Sequence, residues 1–113
     1  MKYSYEQIGA VCATFRCHDN VQPGQSCQMM DNDCICLAEE DSDFDGVVIS
    51  RRGDCATVAM RGFVTLPYSG NTLYAGSRYL HADGIGGVTA AEEGKMYVIV
   101  NVDMTNKIVT FLM

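Results

Sequence analysis

Proline occurs only twice in 113 residues, charged residues make up 19%, and no apolar run reaches the 18 residues that a membrane-crossing helix needs. With 48% apolar residues, the two prolines take the chain out of the disordered and low-complexity classes, where too little burial offsets the ordering entropy. The opening MKYSYEQIGAVCATFRCHDN has no uninterrupted apolar core of the kind a secretory leader carries, and no small-residue cleavage site after one. A cytoplasmic protein that stays out of the membrane is therefore expected.

Basic charge is also scarce. Lysine and arginine number 8 against 14 acids, a formal net charge of −6, and the imbalance is local. Nine acids against Lys2 and Arg16 leave −7 in residues 1–50, while five acids against six bases leave +1 in residues 51–113. Asp31, Asp33, Glu39, Glu40, Asp41, Asp43 and Asp45 fall within residues 31–45 with no base among them. Such a stretch repels a phosphate backbone, so nucleic acid is not an expected partner.

A chain of this length supports one hydrophobic core and buries roughly two-thirds of its unfolded surface. Residues 1–113 are expected to form a single β domain, with residues 1–22 supplying a first strand and an N-terminal arm. The apolar pattern alternates with period two far more often than with the helical period. In residues 95–103, Met96, Val98, Val100 and Val102 face one way and Tyr97 and Ile99 the other. Residues 107–113 alternate again after the turn-prone Asp103-Met104-Thr105-Asn106, the pattern of a terminal hairpin.

Further strands are expected at 8–16, 26–31, 34–39, 47–50, 54–66 and 78–81, with a turn at Arg51-Arg52-Gly53 and loops over most of the glycine-rich stretch 67–94. Only residues 88–93 suit a helical turn. Seven or eight short strands with at most a short helix predict an all-β fold, a small barrel or sandwich. No internal repeat and no linker is evident.

Motifs with chemical meaning are few. Asp41-Ser42-Asp43-Phe44-Asp45-Gly46 has the opening spacing of a calcium-binding loop, but Arg52 stands where the bidentate glutamate must be, so a solvated acidic loop is the reading. The cysteines at 12, 17, 27, 34, 36 and 55 do not form the two close pairs of a zinc site. Reduced thiols are expected, with Cys34 and Cys36 sharing one strand face as core or half-exposed groups and Ile35 on the opposite face. A metal- or ligand-binding barrel built on Cys34 and Cys36 is the alternative function.

The only histidines are His18 and His81, and adjacency in a strand turns Cys17 and His18 to opposite faces. Gly84-Ile85-Gly86-Gly87 lacks the spacing of a nucleotide-binding turn, and Arg52-Gly53-Asp54 is what a tight turn favours. No catalytic, cofactor or metal residue is assigned, and an enzyme is not expected. Residues 107–113, apolar and β-prone, would invite pairing with another chain if they lay at a sheet edge.

Taken in order, Pro23-Gly24-Gln25, Phe44-Asp45-Gly46-Val47-Val48, the spacing Val58, Gly62, Val64, Pro67 within residues 54–67, Leu73, Gly76 and Leu80 within 73–80, and the strand 96–103 resemble tailed-phage capsid decoration proteins, also called capsid cement or head-stabilising proteins. The resemblance spans about residues 21–113. It implies a structural role without catalytic residues: a homo-oligomer, a trimer by preference, bound to the major capsid protein on the outside of an assembled head.

Overall fold

The structure, a computed structural model, describes residues 11–113. Residues 1–10, with the beginning of the expected first strand and of the N-terminal arm, lie outside the described residues. Ten strands follow in order: β1 (Val11–Cys17), β2 (Ser26–Asp31), β3 (Cys34–Leu37), β4 (Gly46–Arg52), β5 (Cys55–Arg61), β6 (Phe63–Ser69), β7 (Gly76–Ala82), β8 (Val88–Ala90), β9 (Met96–Asp103) and β10 (Ile108–Leu112). No helix occurs among the described residues. The fold is all-β, as the alternation requires, and it is a barrel rather than a sandwich.

The strands close into two small barrels. The first runs β1-β3-β2-β4-β5 and the second β10-β6-β8-β7-β9. Both follow one path: the first strand of each pairs parallel with the third, and every other pairing is antiparallel.

Registers match closely as well. Thr14 faces Thr57 with hydroxyls 3.4 Å apart, and Thr65 faces Thr110 with hydroxyls 3.0 Å apart. The Cys17 amide donates to Asp54 O and the Tyr68 amide to Lys107 O, while Ala38 N donates to Ser26 O and Ala91 N to Tyr79 O. A bulge sits at the same step of both terminal hairpins, between Val48 and Ser50 and again where Ile99 faces Phe111 and Asn101 faces Thr110. The barrels differ where the second strand meets the fourth: Ser26 faces Val47, but its counterpart Tyr79 faces Met96. The chain is thus a structural tandem, although no repeat stands out in its sequence.

Each barrel fills with inward-facing side chains. Cys17, Val21, Cys27, Ile35, Val48, Ala56 and Val58 form the core of the first. Leu66, Tyr68, Leu80, Val88, Ile99, Val109 and Phe111 belong to that of the second, and Ala38, Phe44, Val47 and Ala59 from the first half join this second cluster. The Phe44 ring stacks on Tyr97 at 5.3 Å and meets Phe111 edge-on at 6.0 Å, contacts worth about 0.5–1.5 kcal/mol each beyond their burial. Backbone bonds tie the barrels further: Ser26 N donates to Gly86 O, Asp41 N to Ala82 O and Ala82 N to Ser42 O. The buried Ser26 hydroxyl donates to Gly87 O at 3.0 Å.

Several expectations need correction. Residues 54–66 are not one strand but β5 and β6, parted at Gly62, whose φ of 114° breaks the extended run. Pro67 lies inside β6, where Tyr68 rather than Pro67 supplies the amide to Lys107, so the missing N–H costs no bond to β10. Residues 88–93 form no helical turn; Val88 and Thr89 pair with Tyr68 and Ser69 as a short parallel strand. Residues 107–113 are not at an edge, because β10 has β6 on one side and β9 on the other.

Candidate functional site

The titratable and thiol groups singled out in the sequence are dispersed. Cys17 and Cys27 lie in the first barrel core, Cys12 and Cys55 are exposed, and Cys34 and Cys36 are half-buried. In β3 it is Ile35 that points inward, so Cys34 and Cys36 occupy the outer face and not the core. Burial pushes the Cys27 thiol up to about 12, helped by Asp45 and Cys36, and burial also raises Cys17 and Cys36. A raised thiol is a poor nucleophile at neutral pH. Among the described residues no three His, Cys, Asp or Glu side chains are grouped to hold a metal.

The acidic loop 38–45 is used structurally. Asp45 Oδ2 accepts the Met29 amide at 2.8 Å, and Asp43 Oδ1 lies 3.6 Å from His81 Nε2 in β7. These two carboxylates thus turn to different partners instead of one centre. Gly53-Asp54 makes the tight β4–β5 turn, where Arg51 Nε donates to Gly53 O and its Nη1 to Val21 O. In the 83–87 loop, Asp83 Oδ1 accepts the amides of Ile85 and Gly87 and Oδ2 accepts the Ser69 hydroxyl, each at 2.9 Å. His18 follows β1 of the first barrel and His81 lies in β7 of the second.

What the structure does gather is apolar surface on the second barrel. Across β7, β9, β10 and β6 the row Ser77, Val98, Leu112, Phe63 lies in register, with Tyr79 and Met96 paired in the next row. Ile99 and Phe111 beside them point into the core, so alternation turns Val98 and Leu112 outward. Met96 is 55% exposed, Val98 45% and Leu112 38%. The face adjoins a cleft of about 540 Å³ between the barrels, lined by Cys12, Ile49, Arg61, Phe63, Val64 and Thr65. Surface of this kind offers contact by shape and burial rather than by chemistry.

The sequence carries a trace of this arrangement that alternation alone does not reveal. Ala38-Glu39-Glu40 recurs as Ala91-Glu92-Glu93, and the register of β3 and β8 places the two triplets at corresponding positions. That echo would have pointed to two barrels and so to two copies of the same outer face. No protein-family model matches the chain, and no curated protein is similar to it. No helix among the described residues is long and apolar enough to cross a membrane.

Proposed function

We propose that the protein is a non-enzymatic structural protein of a phage or prophage, which binds the outside of an assembled capsid and stabilises it, with itself and the major capsid protein as partners. The observation that carries this reading is the exposed apolar face of Met96, Val98 and Leu112 on the second β barrel. It is supported by the likeness of residues 21–113 to capsid decoration proteins. A cement protein acts by binding the assembled shell better than the dissociated one, so its effect comes by mass action through contact area. Glu39, Glu40, Asp41 and Asp45 are exposed, which keeps a dense surface array soluble by self-repulsion.

The test is to mix the purified protein with heads encoded beside its gene and sediment them. Heads are expected to gain mass and to resist heat or internal pressure better. Heads that gain neither would overturn the reading.

A further inference from the structure

We propose that Cys34 and Cys36, on the outer face of β3, form a two-coordinate site for a soft monovalent metal ion, copper(I), held between their two sulfurs.

The strand itself makes the pair. Ile35 stands between the two cysteines and is 1% exposed in the first barrel core, so alternation turns both flanking thiols outward together. Each is free and half-buried, within reach of an ion from solution. Because β3 is bonded to β1 on one side and to β2 on the other, the spacing of the two side chains is fixed.

The tandem shows that the barrel does not need thiols at these positions. By register, Gly87, Val88 and Thr89 of the second barrel stand where Cys34, Ile35 and Cys36 stand in the first. The inward residue is apolar and β-branched in both, while the outward pair is thiol in one barrel only. Folding accounts for Ile35 and leaves the two cysteines to be explained.

The geometry selects the ion. Residues two apart in an extended strand are about 6.6 Å from each other, at the far limit of the roughly 4.4–6.8 Å between Cα atoms that a disulfide tolerates. Closing that bond would buckle β3 out of its ladders. A linear sulfur–metal–sulfur bridge, with bonds near the roughly 2.3 Å of metal–thiolate links, needs its sulfurs only about 4.6 Å apart, which two side chains on one face reach by leaning together. Zinc wants four ligands in a tetrahedron, and among the described residues no three His, Cys, Asp or Glu side chains are grouped to start one. Copper(I) favours soft thiolates and is content with two.

Neighbouring strands supply the support. Binding releases two thiol protons and leaves a bridged bis-thiolate of net charge −1. Arg16 of β1 faces Cys34, and its Nη2 donates to Asn32 O at 3.1 Å, which ties the guanidinium to the β2–β3 turn next to that sulfur. From β2, Asp31 faces Cys34 and draws an incoming cation, while Gln28 faces Cys36 and hydrogen-bonds it. The Gln28 Oε1 already accepts the Glu39 amide at 3.2 Å, so its amino end serves the sulfur. None of this depends on a shell, and the test uses no heads, so this inference and the proposed function can fail separately.

The test is an anaerobic titration of the full, reduced chain with copper(I) against bathocuproine disulfonate, a coloured chelator of that ion. The chain is expected to withdraw one ion from the chelator. Cys34→Ser and Cys36→Ser should each weaken that binding by more than about 100-fold, beyond what loss of a supporting hydrogen bond alone costs a metal site. Cys12→Ser and Cys55→Ser, at the two exposed thiols, should leave it unchanged. Should a β3 variant lose the far-ultraviolet spectrum of the parent, X-ray absorption of the copper-loaded parent decides instead, with two sulfur neighbours expected. A parent that takes no copper, an equal loss in Cys12→Ser or Cys55→Ser, three or more sulfurs around the ion, or a mass that doubles on adding copper would each overturn the proposal.

Discussion

At the scale of single residues, burial decides the chemistry that each side chain can offer. Tyr97 is sandwiched in the aromatic cluster with Phe44 and Phe111, and its hydroxyl is pushed from an ordinary 10.0 up to about 12 by burial, then by Asp43 and Asp45. Cys27 rises from 9.0 to about 12 for the same leading reason. In both, the protonated neutral form is favoured in the fold, so the unfolded chain gives up its proton first as pH rises. Stability from these groups is complete below pH 9 and is lost progressively between pH 9 and 12. Urea midpoints followed across that range should fall, and Tyr97→Phe should flatten the part of the fall above pH 10; an unchanged slope would assign the loss to other groups. The thiols also show what a sequence conveys about facing. That Cys34 and Cys36 share a face followed from period two, but which face is inward depends on the β1 and β2 neighbours, and Ile35 is the bulkier filler for the barrel interior.

At the scale of elements, alternation was enough to find most strands, because a half-buried strand must sort its side chains by face. It was not enough at residues 54–66, where an unbroken β-prone run hides a change of barrel at Gly62. Nor did it separate β8 from a helical turn, since three residues carry no period and only the parallel bridge to β6 defines them. The repeat was hidden for a related reason: a core demands volume rather than identity, so Val48 and Ile99, Val58 and Phe111, and Cys17 and Tyr68 serve at matching positions. The 83–87 loop illustrates a constraint that is legible only in three dimensions. A Cβ on Gly87 would press on Pro67 O and lie 2.7 Å from Asp83 Oδ2, the carboxylate that organises the loop, and Gly87 O also accepts the Ser26 hydroxyl from the first barrel. The Pro67 backbone would have to give way on one side and the Asp83 carboxylate on the other. Gly87→Ala is expected to destabilise by about 1–3 kcal/mol, the usual range for overpacking, read as a lowered urea midpoint at unchanged slope.

At the scale of the whole molecule, the two barrels are one mechanical unit because the second core is completed from the first half. Ala38, Phe44, Val47 and Ala59 sit in its cluster, and only Gly62 separates β5 from β6. The face that carries the proposed function was not legible for a related reason: period two turns Val98 away from Ile99 and Leu112 away from Phe111, but does not say which side of a strand a neighbouring barrel covers. Coupling of this kind has a thermodynamic signature. Unfolding either barrel exposes the junction, so the barrels should melt together in one calorimetric transition whose van't Hoff and measured enthalpies agree. Phe44 is the test of that coupling, since its ring is fully buried against Tyr97 and Phe111 of the other barrel. Phe44→Ala should cost about 3–5 kcal/mol, the range for deleting a buried aromatic ring. The loss falls on the junction, so it should lower the van't Hoff enthalpy below the calorimetric one as the barrels begin to melt separately. Phe44→Leu, which keeps most of the volume, should lose less and keep the two enthalpies equal. A parent protein that already melts in two steps would show that the shared cluster does not couple the barrels, and the junction would then be a contact between independent units.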